Sequence, residues 1–180
     1  MRSKGHTAPR EDERLMPAGT PRIPGRVIAV IGAGEPTAAA WASAFEVGRL
    51  LARSGCVLVT GGLSGVMQAA SEGARSEGGL VVGILPGGDP STANPHVEVR
   101  IATGMGDARN AILCNTAEAF IAVGGSYGTL SEIAFALKRG KPVVGLNSYE
   151  LLPEVIAVES PAEALEVLGL KAADGSGGPA

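Results

Sequence analysis

Apolar residues fall in short runs, separated by glycine-bearing turns and by stretches with helical spacing. The runs at 27–31, 56–59, 80–85, 119–123 and 142–146 are apolar at nearly every position, the pattern of strands buried on both faces. A run at 97–101 alternates and predicts a strand with one exposed face, and a short last strand is predicted at 155–158. Helical spacing predicts helices over 36–53, 66–76, 107–115 and 130–137. Trp41, Phe45 and the Leu50–Leu51 pair supply the apolar stripe of the first, and Gly140 closes the fourth as a C-cap. Ser160-Pro161-Ala162-Glu163 reads as a capping box with proline at the first helical position, so a final helix runs to about Leu168. Alternating strands and helices predict an α/β domain over 27–170: three layers, doubly wound around a mainly parallel sheet, in the manner of a modified Rossmann fold.

Composition sharpens this picture in a few places. Aromatic residues make up only 3% of the 180, so the core must be built from Ala, Val, Leu and Ile. Residues 1–26 are polar and carry Pro9, Pro17, Pro21 and Pro24, which predicts a disordered arm; the glycine-rich 171–180 predicts a flexible tail. A formal net charge of −3, without a basic stripe, gives no electrostatic case for nucleic acid. No apolar run approaches the roughly 18 residues of a membrane span, and the N-terminus lacks the apolar core of a signal peptide, so a cytoplasmic protein is expected. Cys56 and Cys114 show neither metal nor redox spacing and read as reduced core residues, with no metal site expected.

The glycines carry the candidate chemistry. In a parallel sheet, ligands bind beyond the carboxyl ends of the strands. Clusters at 32–34, 60–65, 86–88 and 124–128 all follow predicted strands, so they share one edge and line a cleft there. The stretch 123–132 organises the rest: a buried strand, the turn Gly124-Gly125-Ser126-Tyr127-Gly128-Thr129, then a helix carrying Glu132. Such a turn leaves backbone N–H groups for an anion at the positive end of a helix dipole. The candidate ligand-binding residues are Gly32, Gly34, Thr37, Gly61, Gly62, Ser64, Gly65, Gly87, Gly88, Gly124, Gly125, Ser126, Tyr127, Gly128 and Thr129. Arg109, in the first turn of its helix, is the cation suited to a phosphate, unless it pairs on the surface with Asp107 or Glu118. Glu132 either faces the cleft or merely stabilises its helix start. Asp89 and Asn94 either line the cleft or form the turn, and His96 is expected exposed and without a role.

Three chemistries find no support in the sequence. Gly32-Ala33-Gly34 opens a dinucleotide fingerprint, but Thr37 stands at the third glycine and no acidic residue closes the second strand, which argues against NAD or FAD. No Gly-Lys-Ser/Thr occurs, so no Walker-type nucleotide hydrolysis is expected. The segment 27–137 holds no lysine to form a Schiff base with pyridoxal phosphate, so lysine decarboxylation is excluded.

Thr60-Gly61-Gly62-Leu63-Ser64-Gly65-Val66-Met67, the segment from Met105 to Asn110 and that from Gly124 to Glu132 resemble the LOG-like family. The likeness is closest to its molybdenum cofactor carrier subgroup and covers about 27–146. The family motif is Pro-Gly-Gly-x-Gly-Thr-x-x-Glu, with an arginine-bearing helix upstream. In its hydrolase branch the resemblance implies phosphoribohydrolases that cleave nucleoside 5′-monophosphates, with Arg109 and Glu132 as the catalytic pair. In its carrier branch it implies a protein that binds a phosphorylated pterin without turnover. Here Gly124-Gly125-Ser126 replaces Pro-Gly-Gly and Arg109-Asn110 replaces the hydrolases' Arg-Lys, which removes a cation. The expectation is therefore a carrier of a phosphorylated nucleotide-like or pterin ligand, with the phosphoribohydrolase as the alternative. No cofactor is required; bound molybdopterin or a nucleoside monophosphate is the expected ligand. The resemblance also implies a homodimer or homotetramer, for which the Ala-rich 133–137 would supply a face.

Overall fold

The computed structural model describes residues 25–148 and 152–171. The expected arm and tail fall almost wholly on 1–24 and 172–180, outside the described residues. Seven strands form one sheet: β1 (Val27–Gly32), β2 (Val57–Thr60), β3 (Val81–Leu85), β4 (Val99–Ala102), β5 (Ala119–Val123), β6 (Val143–Leu146) and β7 (Val155–Val158). Their order is β4-β3-β2-β1-β5-β6-β7, and every neighbouring pair is parallel. The helices are α1 (Ala38–Arg53), α2 (Val66–Ser76), α3 (Arg109–Thr116), α4 (Tyr127–Lys138) and α5 (Pro161–Val167).

Period-two alternation along the buried strands divides the core. Ile28, Val30, Leu58, Ile121, Val123, Val144 and Leu146 point to the face covered by α1, α2 and α5. Ala29, Ile31, Val59, Ile84, Phe120, Ala122 and Val143 point to the face covered by α3 and α4. The doubly wound α/β expectation holds, with strand order reversing between β1 and β5.

Several boundaries move, each for a local reason. α1 starts at Ala38, because Thr37 is its N-cap and accepts from the Ala40 N–H at 3.2 Å; Pro36 lies outside it. α4 starts at Tyr127 and not at 130, taking Gly128 and Thr129 into its first turn behind the cap Ser126. β4 does not show the expected single exposed face. It is the sheet's edge strand, and Val99 and Ile101 are 44% and 42% exposed on the same side. Of the stripe expected on α1, Leu51 is fully buried, while Trp41, Phe45 and Leu50 only flank Ala44 and Val47. Cys56 and Cys114 are buried free thiols, and burial pushes the Cys114 thiol up to about 11, so it stays protonated and inert.

Two lysine and arginine contacts fasten the frame. Lys141 donates to the carbonyls of Cys114, Asn115 and Ala117, closing the C-terminus of α3. Arg26 donates to the Leu168 carbonyl at 2.5 Å and pairs with Glu118 at 3.5 Å. Glu118 is thereby occupied elsewhere and is not the partner of Arg109.

Candidate functional site

All four glycine loops lie at the carboxyl edge of the sheet, as a parallel sheet requires. Between the loop after β1 and the loop after β5, at the strand-order reversal, lies a cleft of about 390 Å³. Glu35, Thr37, Ser43, Gly124, Gly125 and Asn147 are among its lining residues, with no cation in the described lining. A second hollow of about 570 Å³ sits at the ends of β6 and β7 and shares Asn147, whose φ of +47° is the one positive value outside glycine among the described residues.

The supply of free N–H groups is smaller than a bare glycine turn suggests. Gly124 N–H donates to the Leu146 carbonyl, Val66 N–H to Ala33, and Ser126 N–H to the Thr129 hydroxyl. Gly34 and Gly125 keep N–H groups without a protein acceptor among the described residues. Gly125 lines the cleft and Gly34 stands beside it, and the first turn of α1 adds its own N–H groups there.

The charged centre lies behind these loops, on the α3–α4 face. Arg109 opens α3 and Glu132 sits in the second turn of α4; both are over nine-tenths buried. Their Nη1 and Oε1 atoms are 3.3 Å apart. Burial pushes the Glu132 carboxyl up from 4.5 to about 7, a rise that the Arg109 charge and hydrogen bond only partly oppose. One residue along each helix a second rung forms: Asn110 Nδ2 donates to Ser131 Oγ at 3.1 Å, and Ser131 Oγ donates to the Gly128 carbonyl at 2.7 Å. The rungs are incomplete, since Arg109 Nε and Asn110 Oδ1 are buried without partners.

The loop after β2 joins the cleft to this pair. A Cβ on Gly61 would stand 2.6 Å from Arg109 Nη2 and 2.7 Å from Met67 Sδ, so the guanidinium lies directly over a bare backbone. At the loop's other end Gly65, with φ of +72°, abuts the carbonyls of Ala33 and Gly34, where a Cβ would stand 2.4 Å away. Thr60 Oγ1 accepts from the Gly62 N–H, and the buried Asn94 side chain donates to the Gly62 and Leu63 carbonyls.

The predicted residues thus divide. Thr37, Gly124 and Gly125 line the cleft, and Gly34 opens towards empty space beside it. Gly32 is wedged between the Val123 carbonyl and Val66, and Gly62 against Leu85, as packing elements. Ser64, Gly87 and Gly88 are exposed on their loops and do not line the cleft. Ser126, Tyr127 and Gly128 are exposed at the start of α4, Tyr127 at 92%, and Thr129 is buried. Arg109 and Glu132 meet, yet neither lines the cleft. Asp89 caps the short turn Pro90–Thr92, accepting from the Ser91 N–H and hydroxyl, and so is a turn former. His96 is half-buried, 4.0 Å from Glu72, and not fully exposed.

Sequence reasoning missed Asn110's bond to α4, Asn94's hold on the β2 loop and Asn147 in the cleft wall. An asparagine directly after an apolar strand on the loop-bearing edge was the available signal for Asn147, since asparagine tolerates the left-handed region. Among the described residues no group of three His, Cys, Asp or Glu side chains could hold a metal ion, and no helix is long and apolar enough to cross a membrane.

Fold and site together define a Rossmann-like α/β protein with its glycine loops at a topological switch point. The chain belongs to the SLOG cluster4 family, which it matches over residues 25–172. A protein of Archaeoglobus fulgidus is 49% identical over 138 residues, 77% of this chain and 91% of that one. Cytokinin riboside 5′-monophosphate phosphoribohydrolase LOG of Oryza sativa is 39% identical over 95 residues, 51% of this chain; the match spans only 39% of the rice enzyme. Among solved structures, the molybdenum cofactor binding protein of Rippkaea orientalis is similar with a TM-score of 0.77 and 38% identity, over 83% of this chain and 98% of that one. The molybdenum cofactor carrier protein of Chlamydomonas reinhardtii is similar with a TM-score of 0.75 and 34% identity, over 81% and 97%.

Proposed function

We propose that the protein binds and carries a phosphorylated pterin or nucleotide-like ligand, in the manner of a molybdenum cofactor carrier. The observation that carries this reading is the separation of the site into two parts. In its described lining the open cleft has glycine loops and a helix start but no acid–base group apart from the exposed Glu35. The carboxyl best suited to proton transfer, Glu132, sits behind the Gly61 loop, outside the cleft lining. Asn110 supports the same reading, since an uncharged amide stands beside Arg109. In this reading the phosphate rests against Gly34 and Gly125 at the start of α1 and α4.

A second reading is favoured by Glu132 itself. A carboxyl held near 7 beside a guanidinium is poised for general acid–base work on an N-glycosidic bond, as in a nucleoside 5′-monophosphate phosphoribohydrolase. Incubation with a panel of nucleoside 5′-monophosphates, followed by chromatography of free base and of ligand retained on the protein, separates the two. Retained, intact ligand supports the carrier. Base release that Glu132→Ala and Arg109→Ala both abolish supports the hydrolase and overturns the first reading.

We also propose a homo-oligomer. The outer side of α4 leaves Tyr127, Ala134 and Phe135 exposed beside a groove of about 700 Å³ lined by Leu130, Leu137 and Leu152, whereas Ile133 and Ala136 face the core. Sedimentation at micromolar concentration tests this, and a monomer there counts against it.

A further inference from the structure

Glu132 and Arg109 form an isolated ion pair in an otherwise uncharged setting. The elements packed against α4 are α3, β1, β5 and β6. β1, β5 and β6 carry no ionisable side chain at all. From α3 the groups at hand are Arg109 and Cys114, whose thiol donates to the Glu132 carbonyl at 3.5 Å. From the β2 loop come Gly61 and Met67, both uncharged. Arg139 and Lys141 lie towards the far ends of both helices, held by Asn115 and by the last carbonyls of α3. Arg109 is therefore the one direct counter-charge of Glu132 among the described residues.

The pair is also loosely held. A single hydrogen bond of 3.3 Å joins two groups able to form a bidentate contact, and Arg109 Nε has no acceptor. A buried polar atom without a protein partner is costly to leave unpaired. On its other side the guanidinium lies over Gly61, beside Met67, on the loop whose Gly65 end abuts Gly34 at the cleft. A phosphate dianion in that cleft carries twice the charge of a carboxylate and more acceptor oxygens. Such an anion is a stronger partner for a guanidinium than a single carboxylate oxygen at 3.3 Å.

Resting on the binding reading above, we propose that the ligand opens this pair: the Gly61 loop shifts, Arg109 turns to the anionic group held at Gly34 and Gly125, and Glu132, left buried without a counter-charge, takes up a proton from solvent. Anion and proton then bind as one unit, and loss of that proton favours release. The reason is the cost of a lone buried charge, which a carboxyl avoids by neutralising. A carboxyl already held near 7 needs little further change to do so. Such a carrier would load where protons are plentiful and unload as the pH rises.

The test is calorimetry of the intact protein at pH 8 with a nucleoside 5′-monophosphate that it retains, in two buffers of different ionisation enthalpy. At that pH the phosphate is already a dianion, its second pKa being about 6, so its own titration drops out. Uptake of about one proton per ligand is expected, with Kd weakening about tenfold between pH 7 and 8.5. In Glu132→Gln the uptake should vanish and Kd should become independent of pH over that range. Binding without proton uptake by the unaltered protein overturns the proposal and leaves the binding reading intact. Retention of no probe overturns both.

Discussion

The cleft between β1 and β5 and the Arg109–Glu132 pair are joined by the same β2 loop, yet they are built from opposite materials. The cleft is open, and its described walls present backbone, the uncharged polar side chains of Thr37, Ser43 and Asn147, and one carboxylate, Glu35. The pair is buried, charged and short of partners. A backbone-lined cleft depends on where the chain runs, so it tolerates side-chain change at its rim. A buried pair depends on each partner neutralising the other, so it tolerates almost none. The difference separates where a ligand can rest from what can respond to it.

Removing one member of the pair should break this contrast most severely. Arg109→Met leaves Glu132 without its counter-charge and is predicted to cost about 3–5 kcal/mol at pH 8. The loss should be much smaller at pH 5, where Glu132 is protonated; equal losses in urea denaturation at the two pH values would contradict the buried pair.

The next effect is the pH dependence of the unaltered protein. Glu132 has a folded-state pKa of about 7 against 4.5 when unfolded. Between those values the native state holds the extra proton. The stability that Glu132 contributes is therefore complete below about pH 4.5 and is lost as the pH rises to 7. Relative to Glu132→Gln, the loss should reach about 3 kcal/mol. A stability difference between the two proteins that stays constant from pH 5 to 8 would refute the assignment.

Paired glycine substitutions sharpen the comparison further. Gly61→Ala puts a Cβ against Arg109 and Met67 and should cost about 1–3 kcal/mol while displacing the guanidinium, which moves Glu132's titration upward. Gly34→Ala meets nothing within 4 Å and should change stability by less than about 0.5 kcal/mol. Thermal melts with carboxyl-resolved NMR titration would check both. In the cleft wall, Thr37→Ala removes the cap on Ala40 and should cost about 1 kcal/mol without moving Glu132's titration.

The sheet was legible because its signals are local. Runs such as Phe120-Ile121-Ala122-Val123 are apolar throughout, and those at 27–31, 56–59 and 119–123 lead into glycine or threonine at the loop-bearing edge. Helix starts were less legible, since Gly128 and Thr129 look like turn residues and only the capped geometry at Ser126 takes them into α4. Arg109 and Glu132 were picked out separately by chemistry and together only by family resemblance. Their meeting spans 23 residues and depends on α3 and α4 covering the same face. That the pair stands behind Gly61 and outside the cleft was not legible at all. It follows from which face of the sheet each helix covers, and local spacing carries no such information.

The central claim is that this site holds its ligand without cleaving it. The most direct measurement is incubation of the purified protein with nucleoside 5′-monophosphates near pH 7, with chromatography of both free base and protein-bound ligand. Intact ligand recovered on the protein, with no free base above the buffer control, is the predicted result. Free base that accumulates with time and disappears in Glu132→Ala would contradict it and make the buried carboxyl a catalyst.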